Sequence, residues 1–377
     1  MNFQKIEQLL YRLTQCGIPA CEVAISYHGN LVYRDAVGYS DVEGKKRVSD
    51  KDLYWIFSAT KLVTCVAAMQ LVERGKIKLD DPVSRYIPSF SDFCVLHSNG
   101  DVVRCQNKMN ILSLFTMTAG LGYHLEDPFI AKAAQNPNAG TIDIVSAMAF
   151  SPLHFEPGTH YRYSFCHDVL AGVVEVASGI PFGVYLQKNI FDPLGMTDIG
   201  FHPTEEQQHR FSALYKYNNA EARAEAVPLK NAFALTPTYE SGGAGLFSSV
   251  DSYIKFLSVL SQRGLASNGY RLLREESVAQ FQINRLSGAA WNDFVKTRFY
   301  GYGFGLCGRV HVNPNYSMSN SPIGEFGWDG AAGAFAMVDP YHEVALYFAM
   351  HVLGCEYAYH CIHPLLRNDT YEALNLI

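Results

Sequence analysis

Stretches rich in β-forming residues lie near the start of the chain and in its last third, and helical spacing dominates in between. Two β-rich runs, 20–27 and 30–38, flank His28-Gly29-Asn30, which is typical of a hairpin turn. From residue 58 to residue 74, apolar side chains recur every three or four positions. This spacing predicts a helix that ends at Gly75 and that we expect to be buried.

The remaining elements follow from the same spacing patterns. Further helices are predicted at 2–16, 110–117, 141–150, 165–178, 182–190, 250–263, 275–284 and 362–376. Strands are predicted at 302–312, 317–326, 333–338 and 343–352.

Strands at both ends with helices in the middle indicate an α+β fold. We expect an antiparallel sheet flanked by helices and built from both chain ends, because strand–turn–strand connections favour antiparallel pairing. The predicted division is an α/β domain from residues 1–107 and 236–377, interrupted by a mainly helical domain over 108–235.

Composition excludes several classes of function. The net charge is −6 and the pI is about 6.1, without the basic surface that nucleic-acid binding requires. No window reaches about 18 uninterrupted apolar residues, so no membrane span is predicted. No secretory signal is visible, which predicts a cytoplasmic protein. Nine cysteines at irregular spacing, without a CxxC pair, are expected to be reduced thiols.

Two Ser-x-x-Lys motifs are candidates for nucleophilic chemistry. On a helix, positions i and i+3 share a face, so a lysine amine can lie beside the serine hydroxyl and take its proton. Ser58-Ala59-Thr60-Lys61 opens the helix expected to be buried, where backbone N–H groups can stabilise an oxyanion. Ser252 and Lys255 lie in the first turn of an amphipathic helix, and helix capping is the predicted role of Ser252.

Two further segments can supply catalytic groups. Tyr163 follows a turn, and a phenol beside a Ser/Lys pair can relay a proton, although most tyrosines serve packing. The small-residue segment Gly327-Trp328-Asp329-Gly330-Ala331-Ala332-Gly333 precedes a predicted strand. Such a segment lets a substrate approach the backbone closely, and a free N–H there can complete an oxyanion hole.

Two other motifs are interpreted as structural. The Gly303-x-Gly305-x-x-Gly308 run precedes a strand pattern, whereas a dinucleotide fingerprint must open a helix. The cysteines and histidines near the C-terminus fit no named zinc spacing; they are His351, Cys355, His360, Cys361 and His363. We therefore predict no metal and no organic cofactor.

These motifs together resemble the serine β-lactamase and penicillin-binding-protein-like superfamily, in its class C β-lactamase-related branch. The resemblance covers about residues 20–352. It rests on the order and separation of blocks at 57–61, 71–88, 114–121, 163–172, 191–196 and 242–246. It implies a β-lactamase/transpeptidase-like fold with the active-site cleft between the two domains.

The resemblance also implies roles for individual residues. Ser58 would be the acylated nucleophile, and Lys61 with Tyr163 the acid/base system. The backbone N–H groups of Ser58 and Ala331 would form the oxyanion hole. Tyr123, Phe165, Trp328, Asp329 and Gly330 are predicted to line the substrate pocket.

The chain departs from the family pattern at two motifs. Where β-lactamases and many peptidases have Tyr-x-Asn, this chain has Tyr163-Ser164-Phe165, and where they have a Lys/His-Thr/Ser-Gly motif, it has Trp328-Asp329-Gly330. An amide and a cation that hold β-lactam or D-peptide substrates are therefore missing. Asp329 is expected to repel anionic substrates. The resemblance thus favours a carboxylesterase-like serine hydrolase acting on small esters.

Other functions are also compatible with the sequence. One alternative is a D-peptidase or weak β-lactamase in which His167 or Arg162 replaces the missing cation. Another is an acyltransferase of secondary metabolism, in which an alcohol replaces water. A third is a catalytically silent binding protein with the same fold. The expected partner is a small-molecule ester or amide. The sequence does not specify an oligomeric state.

Overall fold

A computed structural model describes residues 1–97, 99–297 and 299–377. Its strands are β1 (Ala20–Tyr27), β2 (Asn30–Gly38), β3 (Tyr54–Trp55), β4 (Cys94–Leu96), β5 (Val102–Arg104), β6 (Ile199–Gly200), β7 (Leu214–Asn218), β8 (Arg223–Val227), β9 (Phe247–Ser248), β10 (Tyr302–Phe304), β11 (Arg309–His311), β12 (Phe326–Asp329), β13 (Phe335–Asp339), β14 (Val344–Ala349) and β15 (Val352–Leu353).

The α-helices are α1 (Gln4–Gln15), α2 (Thr60–Glu73), α3 (Ile111–Phe115), α4 (Pro128–Ala133), α5 (Thr141–Ala147), α6 (Cys166–Ser178), α7 (Phe182–Leu186), α8 (Glu205–Gln208), α9 (Val250–Ser261), α10 (Glu275–Phe281), α11 (Gly288–Val295), α12 (Pro314–Ser317) and α13 (His363–Ala373). Short 3₁₀ turns form at Phe57–Ala59, Val83–Arg85, Pro88–Ser91 and Met148–Phe150, and π-helical turns at Gln187–Phe191 and Ala358–Ile362.

The two ends of the chain build one antiparallel sheet in the order β10-β11-β12-β13-β14-β1-β2. The N-terminal hairpin joins the C-terminal strands where β1 pairs with β14, with Val23 opposite Phe348. The predicted α+β class, with a sheet made from both chain ends, is confirmed.

Helices cover both faces of this sheet because side chains alternate along each strand. On β14, Ala345 and Tyr347 face a core shared with α2, α6 and α9. Leu346 and Phe348 face a second core shared with α1 and α13. We call these the front face and the reverse face of the sheet.

The predicted strand 302–312 is in fact two strands, β10 and β11, which pair antiparallel with Tyr302 opposite His311.

The predicted strand 317–326 is wrong. Residues Pro314–Ser317 form α12, and β12 begins only at Phe326. Between them, the hydroxyl of Ser319 accepts the N–H of Ser321, and that of Ser317 accepts the N–H of Ser319. Serine side chains that bond to nearby backbone compete with a strand ladder, which explains the irregular segment.

The segment predicted as mainly helical, 108–235, also contains strands. β6 pairs with β9, and β7 runs parallel to β15, so residues from about 199 onward are hydrogen-bonded to strands outside that segment. Most helices of 108–235 precede residue 199 and lie around α5 and α6. The proposed domain boundaries stay a prediction.

No single helix among the described residues is both long and apolar enough to cross a bilayer. The helical stretches Cys166–Ser178 and Phe182–Phe191 meet that requirement only together, and they are bent by 74° relative to each other.

Candidate active site

Ser58 and Lys61 meet at the start of helix α2. Ser58 lies in the 3₁₀ turn Phe57–Ala59, which leads directly into the helix, and Lys61 follows one turn later. The Lys61 Nζ is 3.2 Å from the Ser58 Oγ, as the shared helical face predicts. Lys61 is only 1% exposed and Ser58 8%, so both polar groups lie at the edge of the core.

The residue before Ser58 has a strained backbone. Phe57 has a φ of 45°, in the left-handed region that a bulky residue seldom occupies. Its side chain is buried in a small cluster with Leu214 and Ala332, and this packing holds the conformation. Strained residues of this kind concentrate at functional sites, where the surrounding structure fixes a reactive group.

Tyr163 reaches Ser58 from the segment just before helix α6. The Tyr163 Oη lies 2.7 Å from the Ser58 Oγ. Backbone hydrogen bonds fix this segment on either side, since Arg162 N–H donates to Met117 O and Phe165 N–H donates to Gly122 O. The structure therefore brings Ser58, Lys61 and Tyr163 together, although 105 residues separate Ser58 and Tyr163.

Trp328 contributes a hydrogen bond that the sequence analysis missed. Its indole Nε1–H donates to the Tyr163 Oη at 3.1 Å, and the two rings stack with their centroids 5.5 Å apart. The predicted apolar wall is thus also a donor to the phenol oxygen.

Lys61 is surrounded by neutral oxygens and aromatic rings. Its Nζ donates to the carbonyl of Gly243 at 2.7 Å and to the Tyr123 Oη at 3.3 Å. The same nitrogen lies 4.6 Å from the centroid of the Tyr163 ring and 5.2 Å from that of Tyr123. The rings favour a cation at this point, and the oxygens orient it.

Asp168 on helix α6 supports the carbonyl that holds Lys61. Its Oδ1 accepts the backbone N–H of Gly243 at 3.3 Å and the Tyr239 hydroxyl at 2.7 Å. A Cβ at position 243 would lie 2.3 Å from the Asp168 Oδ2, so only glycine fits there. The glycines at 242 and 243 therefore let this loop pack closely against the buried helices α2 and α6.

The segment after strand β12 lies against the backbone that leads into Ser58. A Cβ on Gly330 would lie 2.5 Å from the Ile56 carbonyl oxygen, so this position also requires glycine. Ala332 packs on Phe57 in the same place. Within the described part of the chain, no hydrogen bond uses the Ala331 N–H, the predicted oxyanion donor.

Asp329 does not line the substrate pocket, and this prediction is wrong. Its carboxylate accepts from the Arg309 Nη1 at 2.9 Å and lies 3.7 Å from the His363 Nδ1. These partners belong to the reverse face of the sheet, because successive side chains of a strand point to opposite faces. Trp328 points toward Tyr163, so its neighbour Asp329 points away, and its charge is paired with Arg309.

Tyr123 is the centre of an aromatic cluster beside the Lys61 amine. Its ring contacts Tyr163, Phe165 and Phe233 at centroid distances of 5.2, 4.8 and 5.4 Å. Burial raises the pKa of the Tyr123 phenol well above its ordinary value, so Tyr123 stays protonated at neutral pH. Phe165 is 3% exposed and supports the Tyr123 ring, and Phe233 is a further ring of this cluster that the sequence analysis did not name.

The second Ser-x-x-Lys motif has different partners. The Ser252 Oγ accepts the backbone N–H of Asp198 at 3.1 Å, and Lys255 Nζ donates to the Gly195 carbonyl at 2.7 Å. The predicted capping role of Ser252 is wrong. Ser249 caps helix α9, because its Oγ accepts the Ser252 N–H at 3.1 Å.

His167 cannot replace a cation of the substrate pocket. It is fully buried, its Nε2 lies 3.2 Å from the Phe115 carbonyl oxygen, and its ring contacts the Cys65 thiol. Arg162 has an exposed side chain. Of the two residues that could replace the missing cation in the D-peptidase alternative, Arg162 remains and His167 does not.

The histidines near the C-terminus bond to backbone groups. The His351 Nδ1 lies 2.9 Å from Ser212 O, and the His363 Nε2 lies 3.1 Å from Gly333 O. Burial lowers the pKa of His351 to about 4, so its imidazole is neutral at pH 7. Among residues 1–97, 99–297 and 299–377, no three histidine, cysteine or carboxylate side chains are grouped to hold a metal ion.

Comparison with known proteins identifies the family of this chain. Esterase EstB of Burkholderia gladioli is 29% identical over 338 residues, which are 84% of this chain and 81% of EstB. Protein Rv1367c of Mycobacterium tuberculosis is 30% identical over 334 residues, 85% of this chain and 83% of that protein. The solved structure of EstCE1, described as a hydrolase with promiscuous acyltransferase activity, superimposes with a TM-score of 0.80 at 23% identity, covering 98% of each chain. The family model named Beta-lactamase matches residues 4–355, and the chain therefore belongs to the Beta-lactamase family.

Proposed function

We propose that this protein is a serine ester hydrolase that forms an acyl-enzyme on Ser58. One observation carries the proposal: the Ser58 Oγ lies within 3.2 Å of the Lys61 Nζ and 2.7 Å of the Tyr163 Oη. A serine hydroxyl becomes a nucleophile when a group that can accept its proton is within hydrogen-bond distance. The similarity to an esterase supports an ester as the substrate.

Acylation begins with transfer of the Ser58 proton to the Lys61–Tyr163 pair. These two groups act as one coupled acid/base unit, since the Lys61 Nζ lies 4.6 Å from the centroid of the Tyr163 ring. The pair accepts this proton in the form that lacks one proton, and the Trp328 indole N–H stabilises the negative charge that this form places on the Tyr163 oxygen before the transfer. Ser58 Oγ then bonds to the ester carbonyl carbon, whose C=O π electrons move to the oxygen.

The resulting oxyanion is stabilised by backbone N–H groups. In this proposal they are those of Ser58, at the start of the helix, and Ala331, at the end of β12. When the tetrahedral intermediate collapses, the bond to the leaving alkoxide breaks and Tyr163 protonates that oxygen. Water, deprotonated by the same pair, releases the acid and regenerates Ser58.

The walls of the site favour an uncharged ester over a D-peptide or β-lactam. Positions 165 and 328, which carry an amide and a cation in the related peptidases and β-lactamases, here hold phenylalanine and tryptophan. Arg309, on the neighbouring strand β11, is on the reverse face and paired with Asp329 and Glu325. An anionic substrate would therefore lose its hydration here without gaining a salt bridge from these positions.

A fluorophosphonate probe and a panel of p-nitrophenyl esters test the proposal. We expect a covalent adduct on Ser58, located by mass spectrometry of the digested protein, and turnover of acetyl and butyryl esters. The serine of the second motif, Ser252, is the internal control, because the probe should leave it unmodified. An adduct elsewhere, or turnover by a protein whose Ser58 is replaced, would refute the assignment.

The fate of the acyl group is measured in the same assay. An added alcohol competes with water for the acyl-enzyme, and a rise in the new ester at the expense of the acid would identify acyl transfer as the preferred reaction. If the acid dominates at every alcohol concentration, hydrolysis is the activity of the site.

A further inference from the structure

The loop after strand β12 is held by the last segment of the chain. The hydroxyl of Tyr359, in the π-helical turn Ala358–Ile362, lies 2.9 Å from the Gly330 carbonyl oxygen and 3.0 Å from that of Ala331. His363 adds a contact to the Gly333 carbonyl at 3.1 Å. These contacts come from residues beyond position 355, where the match to the family model ends.

The Gly330 carbonyl and the Ala331 N–H belong to the same peptide group. The structure contains no cis peptide bond among its described residues, and a planar trans peptide directs its C=O and N–H in opposite directions. A hydrogen bond at the carbonyl therefore sets the direction of the N–H. It also polarises the peptide, which would strengthen a hydrogen bond from the Ala331 N–H to a substrate oxyanion.

The loop is confined on its other side as well. Gly330 lies against the Ile56 carbonyl so closely that a Cβ would not fit, and its own N–H donates to Ala334 O at 2.8 Å. The carbonyl of the Gly330–Ala331 peptide is thus directed at Tyr359, and the Ala331 N–H is directed away from Tyr359. Tyr359 and the Ile56 backbone hold the peptide between them.

We infer that Tyr359 is a positioning residue for the oxyanion hole, acting through the Gly330–Ala331 peptide and not on the substrate. This inference rests on the proposed function, because it assigns the oxyanion to the Ala331 N–H. The phenol hydroxyl is hydrogen-bonded to backbone carbonyls of the loop, so its removal should weaken the hole while Ser58, Lys61 and Tyr163 stay in place.

Replacement of Tyr359 by phenylalanine tests this role. We expect kcat for p-nitrophenyl acetate to fall about tenfold with KM unchanged, less than the ~10²–10³ loss caused by deleting an oxyanion donor itself. Sulfur accepts hydrogen bonds poorly, so the matching thionoester depends less on the hole. The ratio of ester to thionoester turnover should therefore fall in Tyr359→Phe.

Tyr357→Phe is the matched control, since Tyr357 is only two residues away and is 40% exposed. It should keep the wild-type ratio. The ratio is unaffected by loss of folded protein, because both rates scale with the folded fraction. An unchanged ratio in Tyr359→Phe, while wild-type protein is labelled at Ser58 and hydrolyses esters, would overturn this inference alone. Wild-type protein without labelling or turnover would overturn the proposed function together with it.

Discussion

The chain contains the Ser-x-x-Lys motif twice, and the two copies have different surroundings. Both lie at the N-terminal end of an apolar helix, α2 for Ser58 and α9 for Ser252. Lys61 is buried against two aromatic rings with its amine beside Ser58. Lys255 is exposed and bonds to the Gly195 carbonyl instead.

The difference shows that helical spacing alone does not make a nucleophile. Spacing of i and i+3 permits a contact, but a lysine side chain is long and its charged end prefers water. At the first motif, distant parts of the chain exclude water and supply Tyr163, Trp328 and the Gly243 carbonyl. At the second motif, Ser252 holds the backbone of Asp198 and has a structural role.

Serine replacement gives the largest expected contrast between the two motifs. We expect Ser58→Ala to lower kcat/KM for p-nitrophenyl acetate by at least about 10⁴-fold, because no acyl-enzyme can form. Ser252→Ala should retain kcat/KM and lose about 1 kcal/mol of unfolding free energy, from one missing hydrogen bond. A large kinetic loss in Ser252→Ala would reverse our assignment of the two motifs.

Lysine replacement is expected to give the next largest contrast. Lys61→Ala removes the amine of the acid/base pair and should lower kcat by about 10²–10⁴-fold. Lys255→Ala removes an exposed amine and should leave kcat unchanged. Steady-state kinetics with the same ester measure both, and equal losses would contradict the difference between the motifs.

The hydrogen bond from the Trp328 indole N–H to Tyr163 should have a smaller effect on kcat than the serine or the lysine of the first motif. Trp328→Phe keeps an aromatic ring but removes the hydrogen bond to the phenol oxygen, and we expect kcat to fall about tenfold, as one lost charge-assisted bond predicts. Trp55→Phe is the control, because the Trp55 indole nitrogen has no hydrogen-bond partner among the described residues. Equal kcat values for the two variants would show that the Trp328 hydrogen bond does not contribute.

The free energy of unfolding should depend on pH through His351, which is hydrogen-bonded to the strand that leads into Ser58. Its Nε2 accepts the Trp55 N–H at 3.2 Å, and burial lowers its pKa to about 4, below the ordinary value of 6.5. Between these values the unfolded chain binds the proton and the folded protein does not. The unfolding free energy therefore falls as pH drops below about 6.5, by up to about 1.4 kcal/mol per pH unit from this group.

Urea unfolding at several pH values between 4.5 and 7 measures this slope. His351→Gln is the comparison, because an amide can accept from Trp55 and donate to Ser212 O without titrating. The slope of the variant should be shallower than that of wild type by about one proton. Identical slopes would show that His351 does not set the pH dependence.

Sequence reasoning predicted the hairpin at 20–38, the helix behind Ser58 and the sheet made from both chain ends. The hairpin and the helix follow from local periodicity, and the sheet follows from the order of strand-like and helical runs along the chain. It was wrong about the single strand at 302–312, about the strand at 317–326, where serine hydroxyls bond to the backbone, and about the cap of helix α9, which begins at Val250 and is capped by Ser249. It missed the Gly243 carbonyl, although the Gly-rich block at 242–246 was a visible signal.

Periodicity, turn residues and the order of motifs along the chain are sufficient for the α+β fold and for Ser58, Lys61 and Tyr163 as candidates. The surroundings of those residues depend on contacts between segments more than 100 residues apart. Only the assembled sheet turns Asp329 toward Arg309 and brings Tyr359 to the Gly330 carbonyl. The physical reason is that strand alternation and helix packing determine which side of an element each side chain occupies, and no local pattern specifies what lies there.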